Sequence, residues 1–120
     1  MGMFSDMILS NLNDLNSISD KHFWSTYLTP EMLEEIREKG DIGAMLARFY
    51  DENGEEIDCT WNQRTIGIPL KEIRHVPNVV VAASGKQKAQ AITCAIKNGL
   101  VDTLITDGST ASVVLGLKNL

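Results

Sequence analysis

At 120 residues, with 43% apolar residues and a net charge of −5, the chain has the size and balance of one globular domain. The 16 acidic residues against 11 basic ones argue against nucleic acid held by this chain, because backbone phosphates call for a basic face. No run approaches the roughly 18 apolar residues that cross a bilayer, so no membrane partner is expected.

In chain order, Asp6-Met7-Ile8-Leu9 is a short strand candidate that runs into a turn-like Ser10-Asn11-Leu12-Asn13-Asp14, where the asparagines tolerate positive φ. Thr29-Pro30 reads as an N-cap followed by proline at the first helical position. Glu31, Glu34 and Glu35 then favour the start of that helix, Arg37 and Lys39 its end, and Gly40 closes it. The run 42–50 and the run 56–67 flank Asp51-Glu52-Asn53-Gly54, and Asn53-Gly54 between strand-like segments predicts a β-hairpin. Pro69 to Arg74 is a short helix.

Asn78 to Ala83 carries β-branched residues without alternation and predicts a strand buried on both faces. Ser84-Gly85 supplies a turn, Lys86 to Lys97 carries apolar residues at helical spacing, and Asn98-Gly99 is a C-terminal signal. Val101 to Thr106 is a second strand, Asp107-Gly108-Ser109-Thr110 a second turn, and Ala111 to Leu117 a last helix. The order predicts an α/β fold: a mostly parallel open sheet with an inserted β-hairpin. In such sheets ligands sit at the carboxyl ends of the strands, where helix N-termini point at them. Function is therefore expected around Ser84 to Lys88 and Thr106 to Thr110.

Each candidate also has a plainer reading. Lys88 alone reads as a solvated helix lysine, Asp41 as a turn former after Gly40, and Ser84-Gly85 as a turn. Asp107, Ser109 and Thr110 suit an N-cap. His22 and His75 have no partner at metal-ligand spacing, so no metal is expected, and no cofactor fingerprint is present. Trp24 and Trp61 read as packing residues, and Glu31 to Glu38 as the wet face of a helix. Cys59 and Cys94 lack paired spacing, Cys94 reading as a core residue; with no secretory signal, this predicts reduced thiols and a cytoplasmic setting.

Seven segments in order carry a resemblance. They are Tyr27-Leu28-Thr29-Pro30-Glu31, Gly40-Asp41-Ile42, Arg48 to Gly54, Arg64 to Ile68, Ile73 to Val79, Lys88-Ala89-Gln90-Ala91-Ile92 and Leu104-Ile105-Thr106-Asp107. Together they resemble the C-terminal half of the sugar-binding (effector) domain of SorC-family bacterial transcriptional regulators, from about Asp6 to Leu117. The resemblance implies a phosphosugar isomerase-like, Rossmann-like half-domain that senses a phosphorylated sugar and does not catalyse.

By the same resemblance, Lys88 approaches the phosphosugar, Asp41 contacts sugar hydroxyls, Ser84-Gly85 replaces a Gly-Gly pair, and Asn11 to Asp14, with Asn13, replaces a glycine-containing loop. Asp107 follows the family's Thr-Asp pattern, although Gly108 stands where an acidic residue is usual. The family's first half-domain and its helix-turn-helix are expected to be missing from these 120 residues, so no direct DNA contact by this chain is expected. A homo-oligomer is expected to cover the edge so exposed. Two other classes stay open: a small isomerase- or aldolase-like enzyme with Lys88 as electrophile or Schiff-base lysine and Asp41 or Asp107 as base, and a structural or interaction remnant.

Overall fold

The structure, a computed structural model, describes residues 7–13, 15 and 24–118. Their sheet has five strands: β1 (Met7–Asn13), β2 (Gly43–Met45), β3 (Arg48–Tyr50), β4 (Asn78–Ala82) and β5 (Thr103–Ile105), in the spatial order β3-β2-β1-β4-β5. β1, β4 and β5 are parallel neighbours, whereas β2 runs against both β1 and β3. The result is a mixed open α/β sheet in which β2 alone opposes the common direction among the described strands. The helices are α1 (Pro30–Glu38), α2 (Thr60–Arg64), α3 (Leu70–Ile73), α4 (Ala89–Lys97), preceded by a 3₁₀ turn over Lys86–Lys88, and α5 (Gly108–Lys118).

α1 begins as its sequence predicts: Thr29 Oγ1 accepts from the Met32 N–H at 3.1 Å, with Pro30 at the first helical position. It ends where Gly40 takes φ +79° and donates to the Arg37 carbonyl. The expected turn at Ser10–Asn13 is instead strand. Met7 to Asn11 pair with Asn78 to Ala82, and Leu12 and Asn13 with Met45 and Ala44, so paired backbone on successive sides outweighs the turn propensity of the asparagines. Asp6, Asp14 and His22 lie outside the described residues.

The hairpin is real but displaced. It joins β2 to β3 through Leu46 and Ala47, both at positive φ (51° and 63°), the geometry of a tight hairpin turn. Asn53-Gly54 does turn the chain, with the Asp51 carboxylate accepting from the Asn53 and Glu55 N–H groups, but its return arm makes a single bridge, Tyr50 to Glu56. Beyond that bridge the expected strand gives way to α2. Asn62 of α2, 3% exposed, accepts from the Phe49 N–H and donates to the Phe49 and Ile57 carbonyls, so a side-chain amide takes the Phe49 N–H that a longer strand would pair and shares the Phe49 carbonyl with the Ile57 N–H.

Buried Arg48 ties this segment down. Its guanidinium reaches Glu56 at 2.7 Å and the Thr65 and Gly67 carbonyls at 2.9 and 3.1 Å, while the other Glu56 oxygen accepts from Leu70 N–H at the start of α3.

Two apolar layers flank the sheet. One joins Leu12, Met45, Tyr50, Val79 and Val81 to α4 and α5; the other joins Ala44 and Phe49 to Trp24, Leu28 and Ile36. Trp24 packs on Phe49 at 4.9 Å and edge-on to Trp61 at 5.4 Å, in line with the packing roles expected of both tryptophans. Contrary to the uninterrupted apolar run, β4 is not buried on both faces: Val79 and Val81 are buried while Val80 is half-buried, and Ile105 of neighbouring β5 is 57% exposed. The described helices α4 and α5 cover the Val79–Val81 side, and the second layer gathers under the hairpin rather than under β5.

Candidate ligand pocket at the carboxyl ends of the strands

Because β1, β4 and β5 are parallel, their carboxyl ends open on one side of the sheet, and an open pocket of about 590 Å³ lies there. Asn11 and Asn13 line it from β1, Ser84 and Lys88 from the loop and turn after β4, and Thr106 and Asp107 from the end of β5.

Gly85 forces the exit from β4. Its φ of +123° and ψ of 122° lie in backbone space that side chains disfavour, so glycine is needed there. The chain then enters the 3₁₀ turn, which places Lys88 at the N-terminal end of α4. Half-buried Lys88 extends across the pocket toward β1, where its Nζ is 3.5 Å from the Leu12 carbonyl.

Asp107 caps α5. Its Oδ1 accepts from the Thr110 N–H at 2.8 Å, so α5 starts at Gly108, three residues earlier than its apolar pattern indicates. That N–H foremost, then the Thr110 hydroxyl and the charge of Lys86, hold the Asp107 carboxyl below its ordinary value.

Asn13, Ser84, Lys88 and Asp107 thus line one pocket. Two candidates do not fit in the same way. Gly85, expected in the ligand-facing turn, donates its N–H to Thr110 Oγ1 at 2.8 Å and is not among the residues lining the pocket. Asp41 is not among the residues lining the pocket, although it precedes β2, whose Ala44 pairs with Asn13 at the same end of the sheet. Thr110, 1% exposed, carries no signal in the sequence beyond capping; its link to Gly85 spans 25 residues and leaves no local pattern. Among the described residues, no three His, Cys, Asp or Glu side chains converge to hold a metal ion, and no helix is long and apolar enough to cross a membrane.

An open α/β sheet with a polar pocket at its switch point defines a small-ligand-binding domain. Residues 3–116 match the Sugar-bind family model, that of a sugar-binding domain, and the chain belongs to this family, the sugar-binding effector domain of SorC-family transcriptional regulators. It is similar to the transcriptional regulator LsrR of Escherichia coli K12, 36% identical over 78 residues that make up 64% of this chain and 25% of that protein. Among solved structures it resembles a DeoR-family transcriptional regulator from Listeria monocytogenes, with a TM-score of 0.84 and 29% identity over 94% of this chain and 45% of the other. The full-length sorbitol operon regulator SorC of Klebsiella pneumoniae shares the fold at a TM-score of 0.82 and 23% identity, over 92% of this chain and 35% of that one. The chain therefore spans about a quarter of the LsrR relatives and under half of these solved regulators.

Proposed function

We propose that this pocket binds a phosphorylated sugar and that the chain is the sensing part of a SorC-type transcriptional regulator rather than an enzyme. The observation that carries the reading is the convergence of Lys88 with Ser84, Asn13 and Asp107 at the carboxyl ends of three parallel strands. A cation and a hydroxyl from the segment after β4 suit a phosphate; an amide from β1 and a carboxylate from the end of β5, on either side of it, suit sugar hydroxyls, which both donate and accept. Asp41 would reach the ligand from the hairpin side of the same sheet end. In the larger regulator, binding would favour one conformer of the assembly over another.

The test is a thermal-shift titration against a panel of sugar phosphates. A ligand at 100 times its Kd stabilises a domain by about 2.7 kcal/mol, several degrees in Tm for this size. One ligand should shift the wild type and leave Lys88→Ala in place. A flat panel on well-folded protein, or a shift that survives Lys88→Ala unchanged, contradicts the proposal.

A further inference from the structure

Thr110 occupies the third position of α5, where in a capping box a Glu or Gln side chain turns back to the N-cap. Here a hydroxyl stands there and receives a bond from a different loop. Its Oγ1 accepts from the Gly85 N–H at 2.8 Å, while its own N–H is held by Asp107 Oδ1 at 2.8 Å. The residue is 1% exposed, so water does not compete for the hydroxyl. Three pocket segments meet at this point: the exit of β4, the exit of β5 and the start of α5, which also packs against the 3₁₀ turn bearing Lys88.

From this arrangement we infer that Thr110 is a positioning residue for the ligand pocket, its hydroxyl holding the Ser84–Gly85 loop in register with the Asp107 cap that its backbone N–H holds. The inference rests on the proposed ligand for its purpose, and on the two hydrogen bonds for its mechanism. The chemistry is restrictive. The hydroxyl can accept the Gly85 N–H where a methyl group cannot, and it also helps to keep the Asp107 carboxyl below its ordinary value. Valine keeps the shape and the backbone N–H that bonds Asp107 but loses the hydroxyl that holds Gly85; serine keeps the hydroxyl and loses a methyl group. Gly85 depends on this tether more than most residues would, because its backbone freedom leaves the loop many alternatives once the N–H is released.

The experiment is amide hydrogen exchange of the wild type, Thr110→Val and Thr110→Ser, followed at Gly85 by NMR, together with sugar-phosphate titrations. The Gly85 amide should be protected in the wild type and in Thr110→Ser. It should exchange at least about tenfold faster in Thr110→Val while the amides of α4 keep their protection, which separates a local release from general loosening. Sugar-phosphate affinity should fall about tenfold in Thr110→Val and recover in Thr110→Ser. An unprotected Gly85 in the wild type overturns the inference without any variant, as does equal protection in Thr110→Val. If Gly85 responds as stated but the wild type binds no sugar phosphate, the ligand reading fails while the tether stands. If the wild type binds and Thr110→Val binds equally well, the positioning role fails while the ligand reading stands.

Discussion

Asp107 shows how one carboxylate serves local structure and a pocket together. It caps α5 through the Thr110 N–H and still borders the space that Lys88 enters. Its proton is therefore released more readily in the folded chain than in the unfolded one, which sets the sign of the pH dependence. Above the unfolded value, about 3.9, the contribution of Asp107 to stability is complete; as the pH falls through the lower folded value the contribution disappears. Asp107→Asn removes that titration, so the gap in Tm between wild type and Asp107→Asn should be widest near neutrality and close below about pH 4. A gap that stays constant to lower pH would show that Asp107 has no ionic role. At this scale Ser84, Lys88 and Asp107 are legible in the sequence because the segment between a parallel strand and its helix must lie at the strand's carboxyl end, whereas Asn13, inside β1, is indicated only by the family resemblance. Thr110 is not legible, because its partner is 25 residues away and only folding brings the two together.

At the scale of elements, the hairpin shows where local pattern and tertiary bonding part. Asn53-Gly54 predicts a turn and the chain turns there, yet the longer-range competitor, Asn62, decides the conformation of the next segment. In antiparallel pairing, alternate residues direct their N–H and C=O away from the neighbouring strand. Phe49 presents its pair to Asn62, which bonds both and also takes the Ile57 carbonyl. Asn62→Ala should leave the buried Phe49 N–H without its partner and remove one of two donors from each of the Phe49 and Ile57 carbonyls, at a cost of about 2 kcal/mol, read as a lower urea midpoint with an unchanged m value. A loss under about 0.5 kcal/mol would mean that water or a rearranged α2 replaces the amide. The boundaries of α1, the 3₁₀ turn with α4, and α5 lie near their sequence signals because caps and glycines act locally. The residues after Ile57 depart from their strand-like pattern as the Asn62 side chain takes the Phe49 N–H that a longer strand would pair.

At the scale of the whole molecule, β2 and β3 join two apolar layers that otherwise involve different elements. Met45 and Tyr50 point into the layer under α4 and α5, and Ala44 and Phe49 into the layer around Trp24 and Ile36. Tyr50 adds a direct bond, its Oη donating to the Ala91 carbonyl of α4 at 2.8 Å. Gly43 makes that approach possible, since a Cβ there would stand 2.6 Å from Tyr50 Oη and 2.9 Å from Ala91 Cβ. Strands packed on both faces transmit the loss of either layer to the other, so the chain should unfold as one unit. Its two cysteines report the layers separately: Cys59 is buried beside Phe49, and Cys94 of α4 donates through Sγ to the Asp51 and Glu52 carbonyls. Burial raises both thiols above their ordinary value, so both react slowly until exposed. Pulsed thiol labelling across a urea series should give Cys59, Cys94 and tryptophan fluorescence the same midpoint. Tyr50→Phe, which deletes the bond to Ala91, should lower all three together by about 1 kcal/mol. If Cys59 and the tryptophan signal give way at lower urea while Cys94 stays protected, the layers are separate folding units. The hairpin would then be a bridge between them and not their common core.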